Sequence, residues 1–289
     1  MFDTHTHLCH KSFRKDREEA FDRALEAGVN LMLEISWDVR SSEAAIRFAE
    51  DHEGVWVAVG YHPHESRNTR TPSGHSHNYS ELTLRSQGNN TRPPSGDSHN
   101  QLESQGNNTP NYLQRLEELS KHQKVKAIGE IGLDYYRDLS PRDVQKRVFA
   151  EQIELADELK LPMVIHCRDA MDDVLPIVAE QGYYRGVFHS ISADSEQAQK
   201  IVGLGFYLGI NGTLTYDSKR TKSWLPRVPK ERLLIETDCP YLAPVPYRRE
   251  RNEPAYVRYV AEAVAGVLET SVEEIGDLTE KNGKELFLG

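Results

Sequence analysis

His-x-His spacing occurs at His5 and His7 in FDTHTHL and at His75 and His77 in SGHSHN. Alternate residues of a β-strand share a face, so a strand carrying His-x-His can aim two imidazoles at one ion. More His, Asp and Glu residues stand at the ends of short apolar runs. His62 follows VAVGY, Glu130 lies in AIGEIGLDY, His166 ends PMVIH, His189 ends GVFH and Asp238 follows LLIET. Imidazole with carboxylate suits Zn²⁺, Mn²⁺, Fe²⁺ or Ni²⁺, whereas Mg²⁺ prefers oxygen and water. Four histidines and two carboxylates exceed one catalytic ion, because such a site keeps an open position. The surplus points to two ions sharing a carboxylate, as in many phosphate-cleaving enzymes.

These side chains meet only if the runs that carry them are neighbouring strands. Eight β-rich runs recur: Met1–His5, Asn30–Ile35, Val55–Val59, Lys126–Ile131, Pro162–His166, Gly186–His189, Phe206–Ile210 and Leu233–Glu236. Helical apolar spacing separates most of them, clearest over Asp143–Leu159, Ala170–Glu180, Ser195–Leu204, Pro254–Leu268 and Ser271–Leu286, and weaker over Lys219–Leu225. Strands alternating with helices predict an α/β fold with a parallel sheet, and eight units suit a (β/α)8 TIM barrel. The C-terminal strand ends of such a barrel converge on one face, where His5, His7, His62, Glu130, His166, His189 and Asp238 would gather. An open doubly wound sheet is the rival, but no GxGxxG opens a helix after a strand.

One segment departs from the alternation. From Arg67 to Pro110 apolar residues nearly vanish, and PSGHSHNYSELTLRSQGNNTR is followed by the shorter copy PSGDSHNQLESQGNNTP. Such a composition cannot bury enough apolar surface to balance the entropy of ordering. It reads as a duplicated, disordered insertion after strand 3 of a single domain spanning 1–289. Without it about 245 residues remain, near the ~250 of a typical TIM barrel. His75 and His77 sit in this repeat, and the second copy has Asp97 in place of His75. They are therefore not assigned to a metal. The sequons at Asn78, Asn89 and Asn107 carry no weight in a cytosolic chain.

Composition narrows the function classes. The 289 residues carry a formal net charge of −10, which argues against a broad basic surface for long nucleic acid. No apolar run is long enough to span a membrane. The opening MFDTHTHL lacks the features of a signal peptide. Cys9, Cys167 and Cys239 are scattered and odd in number, which fits a reducing cytoplasm. Cys167 and Cys239 adjoin presumed ligands but should point to the opposite face and pack.

The motifs DTHTHL, VGYHPHE, AIGEIGLDYYRD, PMVIHCRDA, VFHS, IETDCPYLAPVP and RNEP occur in this order. Together they resemble the signatures of the TatD-like metal-dependent hydrolases. The resemblance covers nearly all of the chain outside Arg67–Pro110. It implies an amidohydrolase-type TIM barrel with two divalent ions, Mg²⁺ or Mn²⁺ with Zn²⁺ as an option, and deoxyribonuclease activity. By resemblance, His5 and His7 are ligands of the first metal, Glu130 bridges, and His166 and His189 are ligands of the second. Asp238 resembles the strand-eight aspartate, a first-metal ligand that also activates water. His62 resembles a pocket histidine that contacts substrate phosphate, and Arg168 is a further phosphate-contact candidate. Tyr135 and Tyr136 are expected at the pocket mouth. The sixth motif, FHSISAD, departs from the usual His-Cys-Phe-Ser-Gly at Ser190, Ile191 and Ala193, which bears on substrate fit more than on catalysis.

Three functions follow. The first is metal-assisted phosphodiester hydrolysis at DNA ends or short single strands, of the 3′–5′ exonuclease type, with no membrane involved. The second is ester hydrolysis by the same centre, as in D-aminoacyl-tRNA deacylases. The third is a non-enzymatic interaction protein that keeps its metals for stability.

Overall fold

The computed structural model describes residues 1–69, 111–216 and 219–289. The sequence repeat, His75, His77 and the three sequons lie outside the described residues. The strands are β1 (Phe2–Thr6), β2 (Leu31–Ile35), β3 (Val55–Val59), β4 (Val125–Asp134), β5 (Met163–Arg168), β6 (Gly186–Phe188), β7 (Tyr207–Ile210) and β8 (Leu233–Ile235). The helices are α1 (Arg17–Glu26), α2 (Val39–Asp51), α3 (Tyr112–Ser120), α4 (Arg142–Leu159), α5 (Met171–Gln181), α6 (Ser195–Gly203), α7 (Lys219–Trp224), α8 (Val257–Leu268) and α9 (Val272–Phe287).

The strands form one parallel sheet in chain order, β1 through β8. Its two edges meet just beyond β1 and β8. Thr6 bridges to Cys239, His7 N–H donates to Cys239 O (3.0 Å), and Asp238 N–H donates to His5 O (2.9 Å). The sheet is thus a (β/α)8 barrel, as the alternation predicts.

Two apolar layers hold it. Leu33, Ile35, Ala58, Ala127, Val164, Val187 and Leu234 fill the interior. Residues of the other face, such as Met32 and Val57, pack outward under the helices. The period-2 alternation of each strand produces this sorting. The end of α9 closes the bottom of the barrel, with Phe287 set edge-on to Phe2 at 6.1 Å. Gly283 permits that approach, since a Cβ there would stand 2.7 Å from the Phe2 ring.

Helix starts follow local chemistry. Asp38 with Ser41, Asn111 with Gln114 and Asp194 with Gln197 form capping boxes at α2, α3 and α6. Three strand pairings contain register shifts, and two of these fall at His5 and Glu130. Such irregularities re-aim side chains. β4 runs three residues beyond the expected Ile131, so Glu130 lies within the strand and Asp134 ends it.

The chain enters the insertion later than its composition suggests. Pro63–Asn68 form a 3₁₀ turn with His62 as its cap, and proline's fixed φ suits that first turn. Arg67 N–H donates to Ser140 Oγ (3.1 Å), and Arg147 Nη2 donates to Thr69 Oγ1 (3.3 Å). On the far side Tyr112 OH donates to Glu151, which also pairs with Arg147 at 2.9 Å. Both ends of the insertion therefore anchor on the same turn of α4. Replacing residues 70–110 by a short Gly-Ser linker is expected to shift the thermal midpoint by less than about 3 °C. Calorimetry of the two chains checks this. A larger fall would mean that the segment contributes to folding.

Candidate metal centre

The described residues contain three ligand-like groups, and they share members: His5–His7–Asp238, His5–Glu130–His189 and His62–Glu130–His166. Glu130 sits in the middle, buried, with its two oxygens facing opposite ways. Oε2 lies 3.7 Å from His5 Nε2 and 3.9 Å from His7 Nε2. Oε1 lies 2.6 Å from His166 Nδ1, 2.7 Å from His189 Nε2 and 3.6 Å from His62 Nε2. Asp238 Oδ1 completes the first side at 3.7 Å from His5 and 3.6 Å from His7. All seven residues expected at the strand ends therefore meet. Arg168 does not reach the centre; it is exposed at the rim, its guanidinium 3.9 Å over the Tyr136 ring.

Outer hydrogen bonds decide which nitrogen faces inward. His7 Nδ1–H donates to the Ile35 carbonyl at 2.9 Å, leaving a lone pair on Nε2. His166 Nε2–H donates to Asp134 Oδ2 at 3.1 Å, leaving a lone pair on Nδ1. The inward nitrogens crowd one another: His5 and His7 Nε2 are 3.2 Å apart, and His166 Nδ1 is 3.1 Å from His189 Nε2. Lone pairs pressed together away from water are unfavourable alone and favourable around cations. The donor set therefore fits divalent ions bound by imidazole and carboxylate.

The family profile described as "TatD related DNase" matches residues 2–288. The chain belongs to this family. It is 36% identical over 290 residues to "Uncharacterized metal-dependent hydrolase YabD" of Bacillus subtilis (strain 168), covering 99% of this chain and 98% of that protein. It is 30% identical over 297 residues to "3'-5' ssDNA/RNA exonuclease TatD" of Shigella flexneri serotype 5b, covering 99% and 98%. The structure of YJJV, a TatD homologue from Escherichia coli K12, superposes with a TM-score of 0.79 at 24% identity, covering 100% of this chain and 98% of that one. That likeness shows the fold. The chain is thus a metal-dependent hydrolase of the TatD family. Among the described residues no helix is long and apolar enough to cross a membrane.

Charge in this TatD barrel is arranged around Glu130. Burial alone would raise its pKa, but the His189 and His62 rings and the close contacts with His166 and His189 hold it well below the usual carboxylate range. Burial likewise disfavours charge on His189, yet Glu130 and then Glu236 raise its pKa well above the ordinary value. Burial pushes His62 down to about 4. Burial and then the neighbouring His189 also lower His5. Asp238 is depressed against its burial by the His7 hydrogen bond and by the His5 and His189 charges.

Several supporting residues escape a reading by strand ends. Asp134 accepts from both His166 and His64 Nε2, the latter at 2.9 Å. Its signal is the two-residue period of Glu130, Gly132 and Asp134 along one strand face. Glu34 is a fully buried charge in the apolar run LMLEI. It accepts from Leu8 N (2.8 Å), Cys9 N (2.7 Å) and Thr6 Oγ1 (2.9 Å), fixing the turn that follows His7. Asp3 accepts from Thr237 N (2.9 Å) and Thr237 Oγ1 (2.6 Å), tying β1 to the loop that carries Asp238. Glu236 accepts from Ser190 N at 2.5 Å, and a Cβ at Gly209 would overlap its Oε2. Ser190, a departure from the family pattern, also receives a bond from Asn211 Nδ2 at 2.6 Å. Cys239 is buried and Cys167 half-buried, packed as expected.

Glu34→Ala removes three acceptor contacts and strands two buried backbone donors. The expected loss is about 3 kcal/mol, a fall of about 5–10 °C in thermal midpoint. Calorimetry with Leu33→Ile as a packing control measures it. No loss beyond that control would show that water satisfies these donors.

Proposed function

We propose that His5, His7 and Asp238 hold one divalent ion, that His166 and His189 hold a second, and that Glu130 lies between them. With this centre the chain hydrolyses phosphodiester bonds at the 3′ end of single-stranded nucleic acid. The observation that carries this reading is the division of Glu130, whose Oε2 faces His5 and His7 while its Oε1 faces His166 and His189. The relative named as a 3′–5′ ssDNA/RNA exonuclease aligns with this chain over nearly its whole length. The predominance of imidazole donors favours Mn²⁺ or Zn²⁺, with Mg²⁺ tolerated through the carboxylates. Ions bound there supply Lewis acidity and positive charge for phosphoryl oxygens. A net charge of −10 leaves little other means of holding a polyanion.

The protein's own groups divide the remaining work. Asp238 stands in a left-handed backbone conformation (φ 57°) just beyond β8, and its depressed pKa keeps the carboxylate ready to accept a proton from the attacking water. His64 N–H donates to His62 Nδ1 at 3.1 Å, so a neutral His62 carries its proton on Nε2. That N–H points into the centre and can donate to a phosphate oxygen. Arg168, at the rim, is placed for a phosphate farther along the strand. Three free thiols suit a cytoplasmic setting.

Mononucleotide release from end-labelled single-stranded DNA tests this reading. Release is expected with Mn²⁺ or Mg²⁺, and a chelator should abolish it. Asp238→Asn should lower the rate at least ~100-fold with an unchanged circular dichroism spectrum. Full activity in that variant would remove Asp238 from the chemistry. Release of D-amino acid from charged tRNA in place of nucleotide would move the activity to the carboxylic ester.

Asp134→Asn can turn its amide toward His166 and donate, which would push the proton onto the inward nitrogen. Affinity for Mn²⁺ should fall about 10–100-fold, measured by titration calorimetry. Unchanged affinity would mean that the Asp134 bond does not set the His166 tautomer.

A further inference from the structure

Among the described residues five large hydrophobic side chains are exposed: Leu25, Tyr136, Leu139, Tyr241 and Val245. The two aromatic ones both follow strands of the site. Tyr136 comes shortly after Asp134, and Tyr241 shortly after Asp238. One face of Tyr136 is already covered by Arg168. Tyr241 is different. The residue is 52% exposed, and its ring stands beside the His7 half of the centre.

Four rings form a cycle there. Trp37 lies 5.9 Å from His7 and 6.0 Å from His10, and Tyr241 lies 6.4 Å from His7 and 5.8 Å from His10. The interplanar angles are 60°, 67°, 72° and 56°, so none of these pairs is stacked. Among the described residues no ring contact joins Trp37 to Tyr241. They occupy opposite corners, with buried His7 beneath and half-exposed His10 outside. The large rings therefore do not use their faces on each other.

Both backbones are pinned. Trp37 N–H donates to Ser41 Oγ at 2.9 Å in the first turn of α2. Tyr241 N–H donates to Asp238 O at 2.9 Å. Buried Asn252 donates from Nδ2 to Tyr241 O (2.6 Å) and to Thr237 O (2.8 Å). Aromatic rings on fixed backbones, half-buried at Trp37 and exposed at Tyr241, lose little freedom when a flat ligand lands on them.

We propose that Trp37, His10 and Tyr241 form a stacking subsite for an unstacked nucleobase beside the scissile phosphodiester. The inference rests on the exonuclease reading and adds the source of its strand preference. Phosphates look alike in single and double strands, so the metal centre alone does not discriminate between them. Base faces differ: in a duplex they are covered by their neighbours, and in a single strand they are free. Every base has a π face, so such a platform tolerates any sequence. Its contact with His7 places the base next to the phosphate held at the centre. An acidic chain gains here an affinity for nucleic acid that needs no basic track.

The test is binding without turnover. Fluorescence anisotropy with metal-loaded protein uses a 5′-labelled, hydrolysis-resistant phosphorothioate single strand of about ten deoxythymidines, and the same strand with abasic sites at its 3′-terminal positions. The intact strand should bind about ten-fold more tightly than the abasic one, in line with stacking on aromatic side chains. Tyr241→Ala and Trp37→Ala should each shrink that ratio toward one. Tyr241→Phe should preserve it, because the ring face remains. A 3′-terminal 2-aminopurine should be quenched on binding to the wild type and not to Tyr241→Ala. Equal affinity of the wild type for both strands overturns the platform, as does an alanine variant that weakens both equally. Base-dependent binding together with no metal-dependent nucleotide release overturns the exonuclease reading and leaves the platform standing.

Discussion

A single buried carboxylate, Glu130, sets the terms for the top of this barrel. An ionised carboxylate removed from water is costly unless positive or polarised groups surround it. Here imidazoles approach both of its oxygens, three on one side and two on the other. Those imidazoles come from β1 and the residue just after it, the loop after β3, β5, and the residue just after β6. The arrangement therefore exists only while these parts keep their register. Loss of barrel closure would leave a charge in an apolar setting, so packing and chemistry enforce the same geometry.

Around that carboxylate the barrel buries further acids. Asp3, Glu34, Asp134 and Glu236 are all essentially inaccessible to water. Each accepts from groups that orient the centre: the Thr237 backbone, the turn after His7, the His166 ring and the Ser190 backbone. The result is a cation-seeking interior on a protein that repels anions at long range. Under the proposed nuclease function, metal-supported chemistry on phosphates would reconcile these two properties, because the attraction would be confined to the place where a bond is to be broken.

Much of this is legible in the sequence. His5, His7, His62, Glu130, His166, His189 and Asp238 each end or interrupt an apolar run, and a barrel gathers strand ends by its topology. The eight strands were readable for the same reason, since β-branched runs bounded by polar segments leave few alternatives. Asp134 was not, because its position at the end of β4 depends on that strand continuing through Gly132. Glu34 is a lone acid within the apolar run LMLEI, and only the fold of the chain after His7 gives it partners. Trp37 and Tyr241 belong to opposite ends of the sequence and come to flank the same two histidines, His7 and His10, only in the closed barrel. Contacts of that kind leave no local pattern to read.

The paired anchors on α4 have a consequence for how this chain can vary over generations. Thr69 and Tyr112 are held by Arg147 and Glu151, one helical turn apart. The described chain therefore stops and resumes at two points held by the same helix. The entropy of closing a flexible loop rises only about 0.6 kcal/mol per doubling of its length. A repeat at this position can therefore be gained, lost or reshuffled as an almost neutral trait. Slippage during replication, ruinous inside any strand of the barrel, is here absorbed without reaching the chemistry.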